Sequence, residues 1–176
     1  DFRITGSGPM LEIFADRIEI SNPGRPLVET TRFIDTPPRS RNEELASLMR
    51  RMDICEERGS GIDKVVAATE EANLPAPEFD VNGDNFKVVL LARKPFKELT
   101  AEERLQICYQ HCVLKYVNRE PMTNATLRQR FGIEAKNSAV VSRIIREAVS
   151  NNLIKLHDPD AVQQGIHHRR AVPEHS

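Results

Sequence analysis

Tryptophan is absent, aromatic residues make up only 5% of the 176, and cysteine occurs three times. The cysteines, Cys55, Cys108 and Cys112, are odd in number and form no C-x-x-C pair. They support neither a disulfide framework nor a zinc ribbon, and fit a reducing cytoplasm, which is the expected location. No apolar run approaches the roughly 18 residues that a membrane-spanning helix needs, so no membrane partner is expected. The opening DFRITGSGPM lacks the basic start and apolar core of a signal peptide. Residue 1 is Asp rather than Met, which leads us to expect a fragment of something longer. No Walker motif, internal repeat or low-complexity segment is found.

What is present suits a soluble globular chain of one or two domains, with 39% apolar and 29% charged residues. The net charge of −1 hides an asymmetry. Residues 1–98 carry 14 basic and 18 acidic side chains, whereas 99–176 carry 11 and 8. Two modules with different partners are expected, divided as 1–96 and 97–176.

The first module opens with a period-2 pattern, Leu11 and Ile13, then Ile18 and Ile20, which predicts two paired strands turning at Ala15-Asp16. Asn22-Pro23-Gly24 ends the second. An irregular stretch to Ser40 follows, with Pro23, Pro26, Pro37, Pro38, Arg25, Arg32 and Arg39. Ser40 and Glu43 form an S-x-x-E capping box, so a helix over about 41–53 is predicted, with Leu45, Leu48, Met49 and Met52 along one side. A second helix runs from about Gly61 to Asn73, with Ile62, Val65, Val66 and Thr69 inward and Leu74-Pro75 as its stop. Asn82-Gly83 between Phe79-x-Val81 and Phe86 to Leu91 is a hairpin signal. The module reads as about four strands covered by two helices, a two-layer α+β unit. Arg93 to Glu98 reads as a polar linker.

In the second module, Thr100 and Glu103 form another capping box, and Leu105, Cys108, Tyr109, Cys112 and Tyr116 share a helical face. His111 is expected off that face, and the cysteines in the core. A shorter helix over about 124–131 closes at Gly132, and a third over about 137–151 buries Val141, Ile144, Ile145 and Ala148. Leu153 to Leu156, a turn at Asp158-Pro159-Asp160 and Ile166 to Val172 follow as a β-hairpin. Three helices and a hairpin are the layout of a winged helix.

The third helix carries the clearest functional pattern. With its aliphatic stripe inward it presents Ser142, Arg143 and Arg146 outward, with Lys136, Asn137 and Ser138 at its start. Arg128 to Arg146 holds five basic residues, counting Arg128 and Arg130, and Glu134 as the one acid. Arg and Asn can read base edges in a major groove, while Lys and Ser hold phosphates. Arg169 and Arg170, beside His167 and His168, fall on the wing. Double-stranded DNA is the expected partner. A solvated basic face, or a docking or homodimerisation module, is the alternative. A metal held by His157, His167 and His168 is disfavoured, and no metal site is expected.

The segment Glu57-Arg58-Gly59-Ser60-Gly61 before a helix would let backbone N–H groups and the helix dipole meet a phosphate, although a tight turn needs the same glycines. The run LEIFADRIEISNPG, then Ser40-Arg41-Asn42, EERGSGI and LPAPEFDVNGDNFKVVLLAR, resembles the RecG-like C-terminal domain. That domain is similar to the ATPase half of the GHKL superfamily and occurs with Schlafen AlbA modules in proteins described as transcriptional regulators. The resemblance covers most of 9–93 and implies a two-layer GHKL-like half-domain followed by a winged helix. It makes Asp16–Gly24 the counterpart of the first glycine box, with Asn22 and Gly24 toward nucleotide, and Arg58, Gly59, Ser60 and Gly61 the counterpart of the second. Asn22-Pro23-Gly24 departs from the usual Asp-x-Gly-x-Gly, so no carboxylate is placed to read adenine. No cofactor and no catalytic residue are therefore expected in this stretch, whereas ATP with Mg is expected of a longer protein carrying the upstream metal-binding Asn.

Overall fold

The computed structural model describes residues 8–34, 36–37, 39–54, 61–156 and 168–170. The period-2 segments become β1 (Met10–Ile13), β2 (Arg17–Pro23), β3 (Glu78–Asn82) and β4 (Asn85–Leu91). They form one antiparallel sheet in the order β1-β2-β4-β3. Leu11 lies opposite Ile20, Ile20 opposite Val88 and Val88 opposite Phe79, so the apolar alternation falls on a single face. A hairpin forms where Asn82-Gly83 predicts one, but Asn82 pairs with Asn85 in the strands and the two loop residues are Gly83, at φ 57°, and Asp84. The opposite face is mixed, carrying Glu12, Glu19, Lys87 and Asp80 beside Met10, Leu91 and the buried Val89. Glu19 accepts from Arg17 Nε at 2.6 Å and from Lys87 Nζ at 3.0 Å, and these two bonds hold its carboxyl below the ordinary carboxylate range.

Between β2 and β3 lie α1 (Glu43–Arg51) and α2 (Gly61–Glu71). The Ser40–Glu43 capping box does not form. Asn42 caps α1 instead, its Oδ1 accepting from the Leu45 N–H at 3.0 Å, because Asn is at least as good a cap and stands next to the first helical residue. The acidic start and basic end of α1 match its dipole as expected. Its apolar stripe is not buried: Leu45, Leu48 and Met52 are exposed, and no residue of α1 is buried. Over the sheet face, Phe33 meets Phe79 and Phe86 edge-on at 5.4 and 5.6 Å, while Leu11 and Ile13 stay exposed. The stretch expected to be irregular contains a 3-10 turn at Thr30–Arg32.

The chain divides into two compact units, Asp1–Val65 with Pro77–Leu91, and Val66–Ala76 with Ala92–Ser176. The second holds α3 (Ala101–Val117), α4 (Asn124–Phe131), α5 (Ser138–Ser150) and a two-stranded antiparallel pair, β5 (Lys155–Leu156) with β6 (His168–Arg170). Thr100 and Glu103 make the predicted capping box. The three helices pack on one another, and β6 packs on α3. Cys108, Cys112, Met122, Leu127, Val141, Ile145 and Ala148 form the dry centre. Arg93 to Glu98 is no free linker. Phe96 begins a 3-10 turn and packs edge-on against Phe131 at 5.1 Å, because its ring is worth more in that core than in water. The predicted turn at Asp158-Pro159-Asp160 lies outside the described residues.

Each described α-helix ends in the same way. Asp53, Asn73, Arg119, Gly132 and Asn152 take φ between 53° and 66°, and the two N–H groups of each turn close back on the helix. For α3, Arg119 N donates to Tyr116 O at 3.0 Å and Glu120 N to Lys115 O at 2.8 Å. This is the Schellman closure that glycine accommodates best. Arg119 holds a left-handed backbone at a cost of about 1 kcal/mol, part of which glycine returns to unfolded-chain entropy. Arg119→Gly is therefore expected to stabilise the protein by about 0.5 kcal/mol, and Gly132→Ala to destabilise it by about 1 kcal/mol. Urea unfolding measures both, and equal midpoints for the two variants would contradict the strain assignment.

Candidate nucleic-acid interface

Helix α5 is built for two environments. Val141, Ile144, Ile145 and Ala148 are buried at i, i+3, i+4 and i+7, which leaves Arg143 and Arg146 exposed three residues apart on the other side. Neither arginine forms an ion pair among the described residues. Arg146 Nε donates only to Ser142 O of its own helix, at 3.3 Å. Asn137 precedes α5 without capping it through its side chain, and Ser138 is its first residue. Lys136 is exposed and pairs with exposed Glu134 at 2.6 Å, a contact that water weakens.

Two other candidates are drawn into the packing. Asn124 Nδ2 donates to Ser138 O at 3.0 Å and to Ser142 Oγ at 2.9 Å, while its Oδ1 accepts from Arg128 Nε at 3.1 Å. One amide thus fixes the start of α4 against α5 and holds Ser142 and Arg128 in place. Arg169 and Arg170 lie on β6, with Arg170 opposite Lys155. His157 and His167 lie outside the described residues.

Arg130 does not join the basic face. It is buried, with Nη2 donating to Leu74 O at 2.6 Å and Nε 3.7 Å from Glu70. Burial lowers its pKa, and the Glu70 charge opposes that shift. His111 likewise is not off the core. It is 2% exposed, with Nδ1 2.8 Å from Glu70 Oε1 and Nε2 3.1 Å from Thr126 Oγ1. Glu70, at the end of α2, therefore answers two buried groups from α3 and α4. Cys108 and Cys112 sit in the core as expected, and burial pushes both thiols up, Cys112 to about 12. They are inert at neutral pH. No cluster of three metal-ligating side chains occurs among the described residues.

The nucleotide candidates are only partly brought together. Asn22 lies at the end of β2 and donates to Pro23 O at 3.0 Å, and Gly24 follows at φ 109° with its N–H on Asp84 O. Gly61 opens α2 with open space where a Cβ would stand. Arg58, Gly59 and Ser60, like Cys55, lie outside the described residues. Asp63 occupies the first turn of α2, its carboxyl pushed up by partial burial.

An antiparallel sheet unit with two helices, followed by a helical unit whose last helix is basic on its open side, defines a mixed α/β architecture consistent with a GHKL-like half-domain. Residues 6–90, which span the whole sheet but its last residue, match the family described as "Putative ATP-dependent DNA helicase recG C-terminal". No curated protein matches. Among solved structures, the DIP2311 protein from Corynebacterium diphtheriae is similar at a TM-score of 0.40 and 16% identity, over 81% of this chain. The chain spans 28% of the length of that protein. No helix among the described residues is long and apolar enough to cross a membrane.

Removing the Glu70 carboxylate leaves buried His111 without its Nδ1 partner and buried Arg130 without its nearby counter-charge. Glu70→Ala is expected to cost about 2–3 kcal/mol, and Glu70→Gln less, since an amide still accepts from His111. Chemical denaturation compares them, and two equal losses would show that side-chain packing, not the carboxylate, matters here.

Proposed function

We propose that this chain belongs to a RecG-related transcriptional regulator whose second unit is a winged helix that binds duplex DNA. The observation that carries this reading is the exposed Arg143 and Arg146, neither in an ion pair among the described residues, on the side of α5 opposite its buried stripe. In this reading α5 enters the major groove, Arg143 and Arg146 reach base edges or phosphates, and Asn137 and Ser138 approach the backbone. Lys136, once released from Glu134, holds a phosphate. The β5–β6 pair is the stem of the wing, and its arginines touch the adjacent groove. Arg128 and Ser142 act by positioning, through Asn124.

Fluorescence anisotropy with a labelled duplex tests this. Arg143→Ala/Arg146→Ala is expected to weaken binding at least about tenfold at about 100 mM salt and to flatten the salt slope by about 1–2 phosphate equivalents. Unchanged affinity in the double variant, with the fold intact, would end the assignment. A DNA-inert dimer in sedimentation would point to a docking module instead.

The family description favours a second reading, in which the first unit takes part in ATP binding in a longer protein. Asn22, Gly24 and the Arg58–Gly61 segment would line one side of that site. Calorimetry with ATP and Mg²⁺ on this chain and on one extended upstream separates the cases: heat from the extended chain alone is expected, and silence from both would leave the sheet unit as a structural platform.

A further inference from the structure

We propose that α1 is a self-association surface, on which a second copy of this chain packs antiparallel to the first. The inference does not rest on the DNA reading, since α1 belongs to the first unit and α5 to the second.

Two observations single out α1. Among the described residues, twelve of the fifteen large apolar side chains that stand exposed belong to the first unit, which is therefore the unit with apolar surface to cover. Within it, no residue of α1 is buried, and Leu45, Leu48 and Met52 are 46%, 46% and 61% exposed. A helix of nine residues is too short to hold its shape in water on propensity and capping alone, so its apolar stripe calls for a partner.

The charges around the stripe say what that partner is. Leu45, Leu48 and Met52 are spaced i, i+3 and i+7, the seam of a helix pair. Glu43 and Arg50 lie behind the seam and pair with each other. Glu44 and Arg51 are seven residues apart, so they share one flank of the seam, both exposed and neither in an ion pair among the described residues. A two-fold axis across the middle of α1 brings that flank of one copy against the same flank of the other, head to tail. Glu44 then lies beside the partner's Arg51, and Arg51 beside the partner's Glu44. The opposed helix dipoles add to the attraction. In a parallel pair that flank would face Met49 instead, and the like-charged ends would lie together. The dipole of α1 explains acids at its start and bases at its end, but not why leucine and methionine stand exposed beside them. A membrane surface fits less well, because two acids and two arginines leave α1 without the cationic face that anionic lipid selects.

Three apolar side chains per copy form a small interface, below about 1,200 Å² in total, so a weak dimer with a dissociation constant of roughly 10–100 μM is expected. Sedimentation equilibrium of the full chain, loaded at up to about 1 mM, measures it. Leu48→Glu, at an exposed position, is expected to weaken self-association at least about tenfold, with circular dichroism checking the fold. Glu44→Arg and Arg51→Glu should each weaken it about threefold or more, because each sets like charges together on both sides of the axis. An equimolar mixture of these two variants is the decisive sample. Its heterodimer restores both pairs, and it should associate at least about threefold more tightly than either variant alone. A chain still monomeric at about 1 mM, which would leave the stripe to a different protein, a dimer that Leu48→Glu does not weaken, or a mixture no tighter than its components would each overturn the proposal.

Discussion

The second unit depends on one carboxylate. Glu70 is the acceptor through which buried His111 is held, and it lies close enough to lend Arg130 some of its charge. A buried imidazole and a buried guanidinium in a helical core are costly unless polar groups meet them. Leu74 O meets Arg130 and Thr126 Oγ1 meets His111, so the end of α2, α3 and α4 are tied at a single polar knot inside an otherwise aliphatic cluster. Such networks fix which side chain faces inward, and here the network makes Arg130 a core residue.

The open side of α5 has its own support. A helix with four buried aliphatic positions has little freedom to rotate, and Asn124 adds bonds to both Ser138 and Ser142 at its start. The two arginines are therefore presented on a rigid support. Rigid presentation is what distinguishes a face able to recognise a surface from a merely solvated one, since the entropy of ordering the helix has already been spent in folding.

Much of this fold was legible from local patterning. The alternation of Leu11, Ile13, Ile18 and Ile20, the Asn82-Gly83 turn, the Thr100–Glu103 box and the stripe of α5 each rest on neighbours within a few residues, where periodicity and capping chemistry speak directly. The Glu70–His111 pair joins residues 41 apart, and no local rule points to it. Arg130 was counted with its basic neighbours because charge density in sequence carries no direction. Gly132 was recognisable as a helix terminus, whereas Asp53, Asn73, Arg119 and Asn152 take the same left-handed backbone without a glycine to announce it. The apolar residues that follow three of the four, Ile54, Leu74 and Leu153, are the weaker trace such closures leave in a sequence, and Glu120 after Arg119 leaves none. Of the candidate site, the outward arginines of α5 could be read from helical spacing, but the engagement of Ser142 and Arg128 by Asn124 could not.

The assignment of Val66–Ala76 to the helical unit has a practical consequence for anyone handling its pieces. A recombinant product starting at Lys97 would keep every residue of α3, α4 and α5 but discard Glu70 and Leu74, and would expose the seat they occupy. Its melting behaviour and solubility would then report on an artificial wound in the helical cluster, and a failure to bind any target would be uninformative about the intact molecule.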